Sequence, residues 1–148
     1  MGKVLIAYFS RAGHTKQMAE YIAEGIRMTG SQAVIKKISE INKEDEIKGY
    51  DAYAFGSPTY HRDMVEGMKK FLFLAEKGGL QGKPGGAFGS YTHSGDAPKI
   101  IFDTMEFVFK MKVTPLGSFN LLEDKIDGAE GIKACQDYGK NLSEMISK

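Results

Sequence analysis

Apolar positions along the chain recur with two different spacings, which alternate from the N terminus to the C terminus. Short apolar runs predict five strands, at residues 4–9, 33–38, 51–56, 87–91 and 113–121. Apolar residues at helical spacing predict four helices, at residues 15–30, 63–77, 97–112 and 127–147. This alternation, without an internal linker or repeat, predicts one domain over residues 1–148. Its fold class is α/β: a three-layer α/β/α sandwich around a five-stranded parallel sheet with right-handed crossovers.

Length and composition narrow the class of protein. A chain of 148 residues can bury about two thirds of its unfolded surface without disulfides. Its lone cysteine, Cys135, excludes an intramolecular disulfide and favours a cytoplasmic location. Twenty basic and nineteen acidic side chains give a net charge of +1, which argues against nucleic acid as the main partner. No apolar run approaches the roughly 18 residues of a membrane span, so we expect no membrane insertion.

Parallel sheets bind ligands at the carboxyl ends of their strands. At the carboxyl end of the first predicted strand the sequence reads Ser10-Arg11-Ala12-Gly13-His14-Thr15. The first predicted helix follows this turn. Backbone N–H groups and the positive end of the helix dipole at such a turn suit a phosphate, and Ser10 and Thr15 add hydroxyl donors. An ordinary helix cap with a glycine-containing turn is an equally good interpretation of the motif alone.

Two further loops should open at the same edge of the sheet. They read Gly56-Ser57-Pro58-Thr59-Tyr60-His61-Arg62 and Gly89-Ser90-Tyr91-Thr92-His93-Ser94-Gly95-Asp96. Each combines small residues with an aromatic side chain. Taken singly, these tyrosines are typical of half-buried surface positions. Together with the first turn, the loops indicate a flat aromatic ligand with a phosphate tail.

These three loops resemble those of the flavodoxin family, and the resemblance extends over essentially the whole chain. The family's phosphate loop has the form Thr/Ser-x-Thr-Gly-x-Thr, and Ala12 stands here in place of the middle hydroxyl. The second and third loops are most similar to those of the flavodoxin-like domains of flavodiiron proteins. An uninterrupted fifth strand is similar to that of short-chain flavodoxins. The resemblance implies the strand order 2-1-3-4-5.

The resemblance also implies non-covalent FMN and assigns each loop a part of it. The phosphate should be bound by Ser10, Arg11, Ala12, Gly13, His14 and Thr15. The ribityl chain and the ring edge should contact Ser57, Pro58 and Thr59. Tyr60 or His61 should stack on the ring, and a peptide of residues 59–62 should face the flavin N5. The third loop completes the set. In it Tyr91 should cover the other ring face, with His93 beside it and Gly89 and Ser90 before it. The pyrimidine rim should contact Ser94, Gly95 and Asp96.

Two functions fit this reading. The first is an electron carrier that shuttles one or two electrons between a reductase and an acceptor protein. The alternative is an FMN-dependent NAD(P)H:quinone-type oxidoreductase. Since Arg11, His14, His61, Arg62 and His93 place positive charge in or beside the loops, we expect a second reduction step less negative than in acidic flavodoxins, and dependent on pH.

Overall fold

The computed structural model describes residues 2–60 and 63–146, in which strands and helices alternate. In chain order the strands are β1 (Lys3–Tyr8), β2 (Gln32–Lys37), β3 (Ala52–Gly56), β4 (Thr59–Tyr60), β5 (Asp63–Met64), β6 (Pro84–Tyr91), β7 (Lys112–Val113) and β8 (Phe119–Leu122). The α-helices are α1 (His14–Met28), α2 (Glu66–Glu76), α3 (Asp96–Asp103) and α4 (Ala129–Ile146). A π-helical turn, Thr104–Val108, follows α3, and short 3₁₀ turns include Glu123–Lys125 after β8.

The main sheet is parallel and has the order β2-β1-β3-β6, with β7 and β8 both pairing with β6 on its outer side. Counting β7 and β8 as two halves of one strand gives the predicted order 2-1-3-4-5. The predicted α/β/α fold is therefore confirmed. A separate two-stranded antiparallel hairpin, β4–β5, lies between β3 and α2.

Side chains of the inner strands point alternately to the two helical layers, as the pleat requires. From β1, Val4, Ile6 and Tyr8 pack with residues of α1 and α4, while Leu5 and Ala7 pack with residues of α2 and α3. All five side chains are buried. This explains why the run over residues 4–9 shows no polar alternation: the strand is covered on both faces.

The fifth strand differs from the uninterrupted strand predicted over residues 113–121. A turn at residues 114–118 separates its two halves, because Pro115 has no N–H for a ladder and Gly117 takes a left-handed conformation (φ 80°). The Tyr138 hydroxyl of α4 fills the gap in the ladder: it accepts the Ala87 N–H (3.0 Å) and lies 2.7 Å from the Gly117 carbonyl. Burial raises the pKa of Tyr138, so this hydroxyl keeps its proton.

Two predicted helices are shorter in the structure. The helix expected over 97–112 ends as an α-helix at Asp103, continues as the π turn, and gives way to a left-handed Lys110 (φ 58°) before β7. The helix expected over 63–77 begins only at Glu66, because Asp63 and Met64 pair with Tyr60 and Thr59 in the hairpin. Both differences lie beside the carboxyl edge or the outer strand, where tertiary contacts override local pattern.

Candidate functional site

The turn after β1 is held in shape by its own backbone and by one serine. Gly13 caps α1 in a left-handed conformation (φ 93°), which glycine adopts without strain. Its N–H donates to the Ser10 hydroxyl oxygen at 3.1 Å. The first turn of α1 contains no acidic residue. The first turn of α1 itself thus places no negative charge beside its N-terminal N–H groups, which suits an anion.

Thr15 and Ser90 join the first loop to the third. Their hydroxyl oxygens lie 3.0 Å apart, and both residues are buried. Ser90 is near the end of β6, two strands away from β1 in the sheet. The hydrogen bond therefore fixes the spacing of two loops that the sequence predicts to share one ligand.

The second loop is anchored from several sides. The Ser57 N–H donates to the Phe88 carbonyl (3.1 Å), and the buried Ser57 hydroxyl donates to the carbonyl of Pro58 (2.9 Å). Gly89 permits this approach, since a Cβ there would lie 2.0 Å from the Ser57 carbonyl oxygen. The Thr59 hydroxyl accepts the N–H of Ala97 in the first turn of α3 (2.9 Å). The second and third loops are consequently one connected unit.

The hairpin that follows is tied to α2 by charge. Asp63 of β5 accepts a hydrogen bond from Lys69 at 2.6 Å. This bond, together with the Met64 N–H, holds the pKa of the Asp63 carboxyl below its ordinary value. The contact fixes the C-terminal strand of the loop on which the predicted ring-stacking residues lie.

The ring-binding residues are located only in part. The backbone of Tyr60 belongs to β4, while His61 and Arg62 lie outside the described residues, so the stacking role of Tyr60 or His61 and the placement of Arg62 stay predictions. Tyr91 is half-buried at the end of β6, and His93 is exposed. Ser94, Gly95 and Asp96 lie partly buried at the start of α3.

Glu123 lies beside the predicted phosphate loop and was not among the residues predicted from the sequence. A narrow pocket is lined by Ser10, Arg11, Ala12, His14, Thr15, Pro58, Ser90 and Glu123. The Glu123 carboxylate lies 3.4 Å from Nε2 of His14. Glu123 follows β8, so it stands at the same carboxyl edge as the three loops, and that position was the available signal.

Asn120 of β8 is the second residue that the sequence reasoning missed. Its amide packs directly against Gly95, where a Cβ would lie 2.6 Å from the Asn120 Oδ1. This Oδ1 is buried and has no hydrogen-bond partner in the described part of the chain. An unpaired buried acceptor beside the predicted pyrimidine rim suits a ligand N–H.

Together, these observations define an α/β protein whose carboxyl edge combines the acid-free N terminus of α1 with two connected loops. A family model described as a flavodoxin domain matches residues 5–115. The chain belongs to the flavodoxin family, whose members are FMN-binding electron-transfer proteins.

Relatives of two kinds are similar to the chain. A flavodoxin of Aquifex aeolicus is 31% identical over 166 aligned positions, which cover 99% of this chain and 88% of the relative. A protein of Gluconacetobacter diazotrophicus named NAD(P)H dehydrogenase (quinone) is 37% identical over 113 residues, 61% of this chain and 57% of the relative. A second dehydrogenase of that name, from Geobacter metallireducens, is matched over 64% of its length, so the chain spans about three fifths of these enzymes.

Solved structures of flavodoxins and of flavodiiron proteins are similar to this chain. An archaeal flavodoxin superposes on this chain with a TM-score of 0.88 at 31% identity, and the alignment covers 99% of each chain. The flavodiiron protein of Giardia intestinalis superposes with a TM-score of 0.86 at 24% identity, covering 98% of this chain and 36% of that chain. The predicted likeness to flavodoxins and to flavodiiron flavodoxin-like domains is confirmed.

The residues at the carboxyl edge fit FMN. The acid-free first turn of α1 and the Ser10 hydroxyl form a donor set suited to a phosphate. The orphaned Asn120 Oδ1 is an acceptor beside the third loop. Glu123 is the exception, because its carboxylate has the same charge sign as a phosphate. Among residues 2–60 and 63–146, no helix has both the length and the apolar character required to cross a membrane.

Proposed function

We propose that this chain carries one or two electrons between redox partner proteins, a reductase and an acceptor, with FMN bound across the three loops. The observation that carries the proposal is the connection of these loops above the acid-free N terminus of α1. Thr15 bonds Ser90, and Thr59 bonds Ala97. When bound, FMN supplies the one- and two-electron redox chemistry, and the loops bind and orient it.

The proposed roles follow the loops. Backbone N–H groups of residues 11–15 and the Ser10 hydroxyl hold the phosphate. Residues 57–59 border the ribityl chain, Tyr60 or His61 and Tyr91 cover the ring, and residues 94–96 meet the pyrimidine rim. Asn120 adjoins that rim, because its amide lies against Gly95, and its unpaired Oδ1 can accept a ligand N–H.

A cytoplasmic location is part of the proposal, and Cys135 supports it. The thiol is buried in the core, and burial raises its pKa to about 12. Such a cysteine is protonated and inert, and a free thiol of this kind is compatible with a reducing compartment.

Stepwise reduction of the purified protein, followed by absorption, tests the carrier function. We expect a bound flavin spectrum and two resolved one-electron steps on titration with dithionite, with no rapid oxidation of NADH or NADPH. The matched variants Gly13→Ala and Gly49→Ala separate the site from general stability. Both positions have a left-handed backbone (φ 93° and 91°) and open space for a Cβ, but Gly49 lies before the amino end of β3. Flavin loss in both variants, or absence of flavin from the wild type, contradicts the proposed site.

The dehydrogenase relatives favour NAD(P)H:quinone oxidoreductase activity as a second candidate function. Their match covers only part of their length, so a second substrate site need not be contained in this chain. Steady-state oxidation of NADH and NADPH with benzoquinone as acceptor distinguishes the two functions. Rapid, FMN-dependent turnover by the protein alone supports the enzyme, whereas stable reduced flavin without turnover supports the carrier.

A further inference from the structure

Glu123 lies in the pocket where the cofactor phosphate is proposed to bind. It is the first residue of the 3₁₀ turn after β8, and its side chain is one third exposed. Its carboxylate lines the same pocket as Ser10 and Ala12 and lies 3.4 Å from the His14 Nε2. Among the described residues that line this pocket, Glu123 is the acidic one.

The pocket is narrow in this arrangement. Its volume of about 10 Å³ is the space of roughly one water molecule. In so narrow a pocket, a phosphate bound at the N terminus of α1 would lie close to the Glu123 carboxylate. The Gly13 cap and the Thr15–Ser90 bond fix α1 at this end, and the Glu123 side chain contacts His14 beside it.

We propose that Glu123 determines specificity at the phosphate site. Its carboxylate competes with the cofactor phosphate for His14 and for the N terminus of α1. The inference rests on the proposed phosphate role of the first loop. Glu123 pairs with His14 until phosphate displaces it, and it lowers the affinity for a phosphorylated flavin relative to an unphosphorylated one.

Coulomb repulsion determines the direction of the effect. A carboxylate near a phosphate raises the free energy of the bound state, and the partial exposure of the pocket moderates this repulsion. In addition, the Glu123 carboxylate already lies 3.4 Å from the His14 Nε2, so it occupies a side of the imidazole that a phosphate would otherwise contact. Arg11 lines the same pocket and supplies positive charge that Glu123 opposes.

The experiment compares FMN with riboflavin, which differ by the phosphate. Dissociation constants of both flavins are measured by flavin fluorescence quenching, at low ionic strength, on the full chain freed of flavin. In Glu123→Gln we expect FMN to bind about three- to tenfold more tightly and riboflavin to bind as in the wild type. Added salt should reduce the gain. Unchanged riboflavin binding also shows that the variant is folded.

Glu144→Gln is the matched control. Glu144 is exposed on α4, two residues before Ile146, whose side chain lies against Gly2 at the amino end of β1. The same loss of charge there should leave both affinities unchanged. An FMN affinity that is unchanged or weaker in Glu123→Gln, or that shifts equally for both flavins, overturns the inference and leaves the FMN site intact. A wild type that binds neither flavin overturns the proposed function itself.

Discussion

At the amino end of the sheet the Ser31 and Ser143 hydroxyl oxygens lie 2.5 Å apart, whereas at the carboxyl end those of Thr15 and Ser90 lie 3.0 Å apart. All four residues are buried. At the amino end the pair is closed off: Ser143 also receives a hydrogen bond from Thr29, and Ser31 accepts the Gly2 N–H. At the carboxyl end the pair lies beneath a pocket that reaches the surface.

The difference shows how one kind of interaction serves two purposes. At the amino end, paired hydroxyls join a strand connection to α4 and contribute to stability. At the carboxyl end, a similar pair holds two loops at a fixed distance, so it contributes to stability and also shapes the site. Substitutions at the two ends should therefore have similar effects on unfolding and different effects on FMN.

Gly89→Ala at the carboxyl end should have the largest effect. The added Cβ would lie 2.0 Å from the Ser57 carbonyl oxygen, so the second loop or β6 must shift. We expect a loss of about 3 kcal/mol in the free energy of unfolding. FMN binding should be abolished, because the second loop carries ring contacts. Urea unfolding followed by circular dichroism and a flavin titration measure the two effects.

Gly67→Ala is the control for Gly89→Ala. On α2 the new Cβ would meet only the Ile38 Cδ1, at an ordinary 3.5 Å. Since alanine favours helix over glycine, this variant should be more stable by about 0.5 kcal/mol and bind FMN normally. Equal behaviour of the two variants would contradict the close packing of Gly89 on the second loop.

Gly13→Ala and Gly49→Ala should have the next largest effect and should differ only in FMN binding. Both substitutions force alanine into a left-handed conformation, at a cost of about 1 kcal/mol each. Gly13→Ala alone should weaken FMN, by about tenfold, because it shifts the N–H groups of the phosphate loop. Thermal unfolding and FMN titration of the pair give both quantities. Equal FMN affinities would place the phosphate elsewhere.

Ser90→Ala and Ser31→Ala test the hydroxyl pairs directly. Each removes one partner of a buried hydrogen bond, so each should lower the free energy of unfolding by about 1 kcal/mol. Only Ser90→Ala should weaken FMN, by about threefold, since it frees Thr15 beneath the phosphate loop. Reduced FMN affinity in Ser31→Ala would show that stability alone governs binding.

His93→Gln should have the smallest effect, on redox potential. Positive charge near the ring favours the reduced anion, and glutamine carries none. We expect the second reduction step of the variant, measured by redox titration, to be more negative by about 20 mV, equivalent to about half a kcal/mol. Lys48→Gln, near the amino end of β3, is the control. A very low, pH-independent potential in the wild type would contradict the charge argument.

Regular elements of the fold could be predicted closely from the sequence. The apolar run over residues 4–9 matches β1 within one residue, and α1 begins one residue before the predicted start. Both elements are long enough for their spacing to be unambiguous, and both are buried on the faces that the spacing indicates.

The fifth strand could be predicted only in part. Pro115 and Gly117 were visible signals of a turn, but apolar residues on both sides favoured one strand. The Tyr138 hydroxyl that completes the ladder comes from α4, and no local pattern connects it with Ala87. Likewise, apolar spacing continues through the π turn after Asp103, so periodicity cannot locate the end of α3.

The site could be predicted as loops, and less well as side chains. Strand-to-helix order and glycine placement indicate which loops meet at the carboxyl edge. The sequence cannot distinguish a hydroxyl that faces a ligand from one that bonds a neighbouring loop, as Thr15 and Ser57 do. Glu123 and Asn120 were missed because the edge rule was applied to three strands and also holds for the fifth.

The turn between β7 and β8 has a consequence for protein engineering. Each half of the strand pairs with β6 by itself, and Tyr138 bridges the gap between them. Pro115 and Leu116 at the tip of the turn are exposed. The entropic cost of closing a loop rises only slowly with the length of the loop. A peptide tag inserted between these two residues should therefore be tolerated. This position offers an attachment point on the outer edge of the sheet, away from the strand ends at which we propose the FMN site.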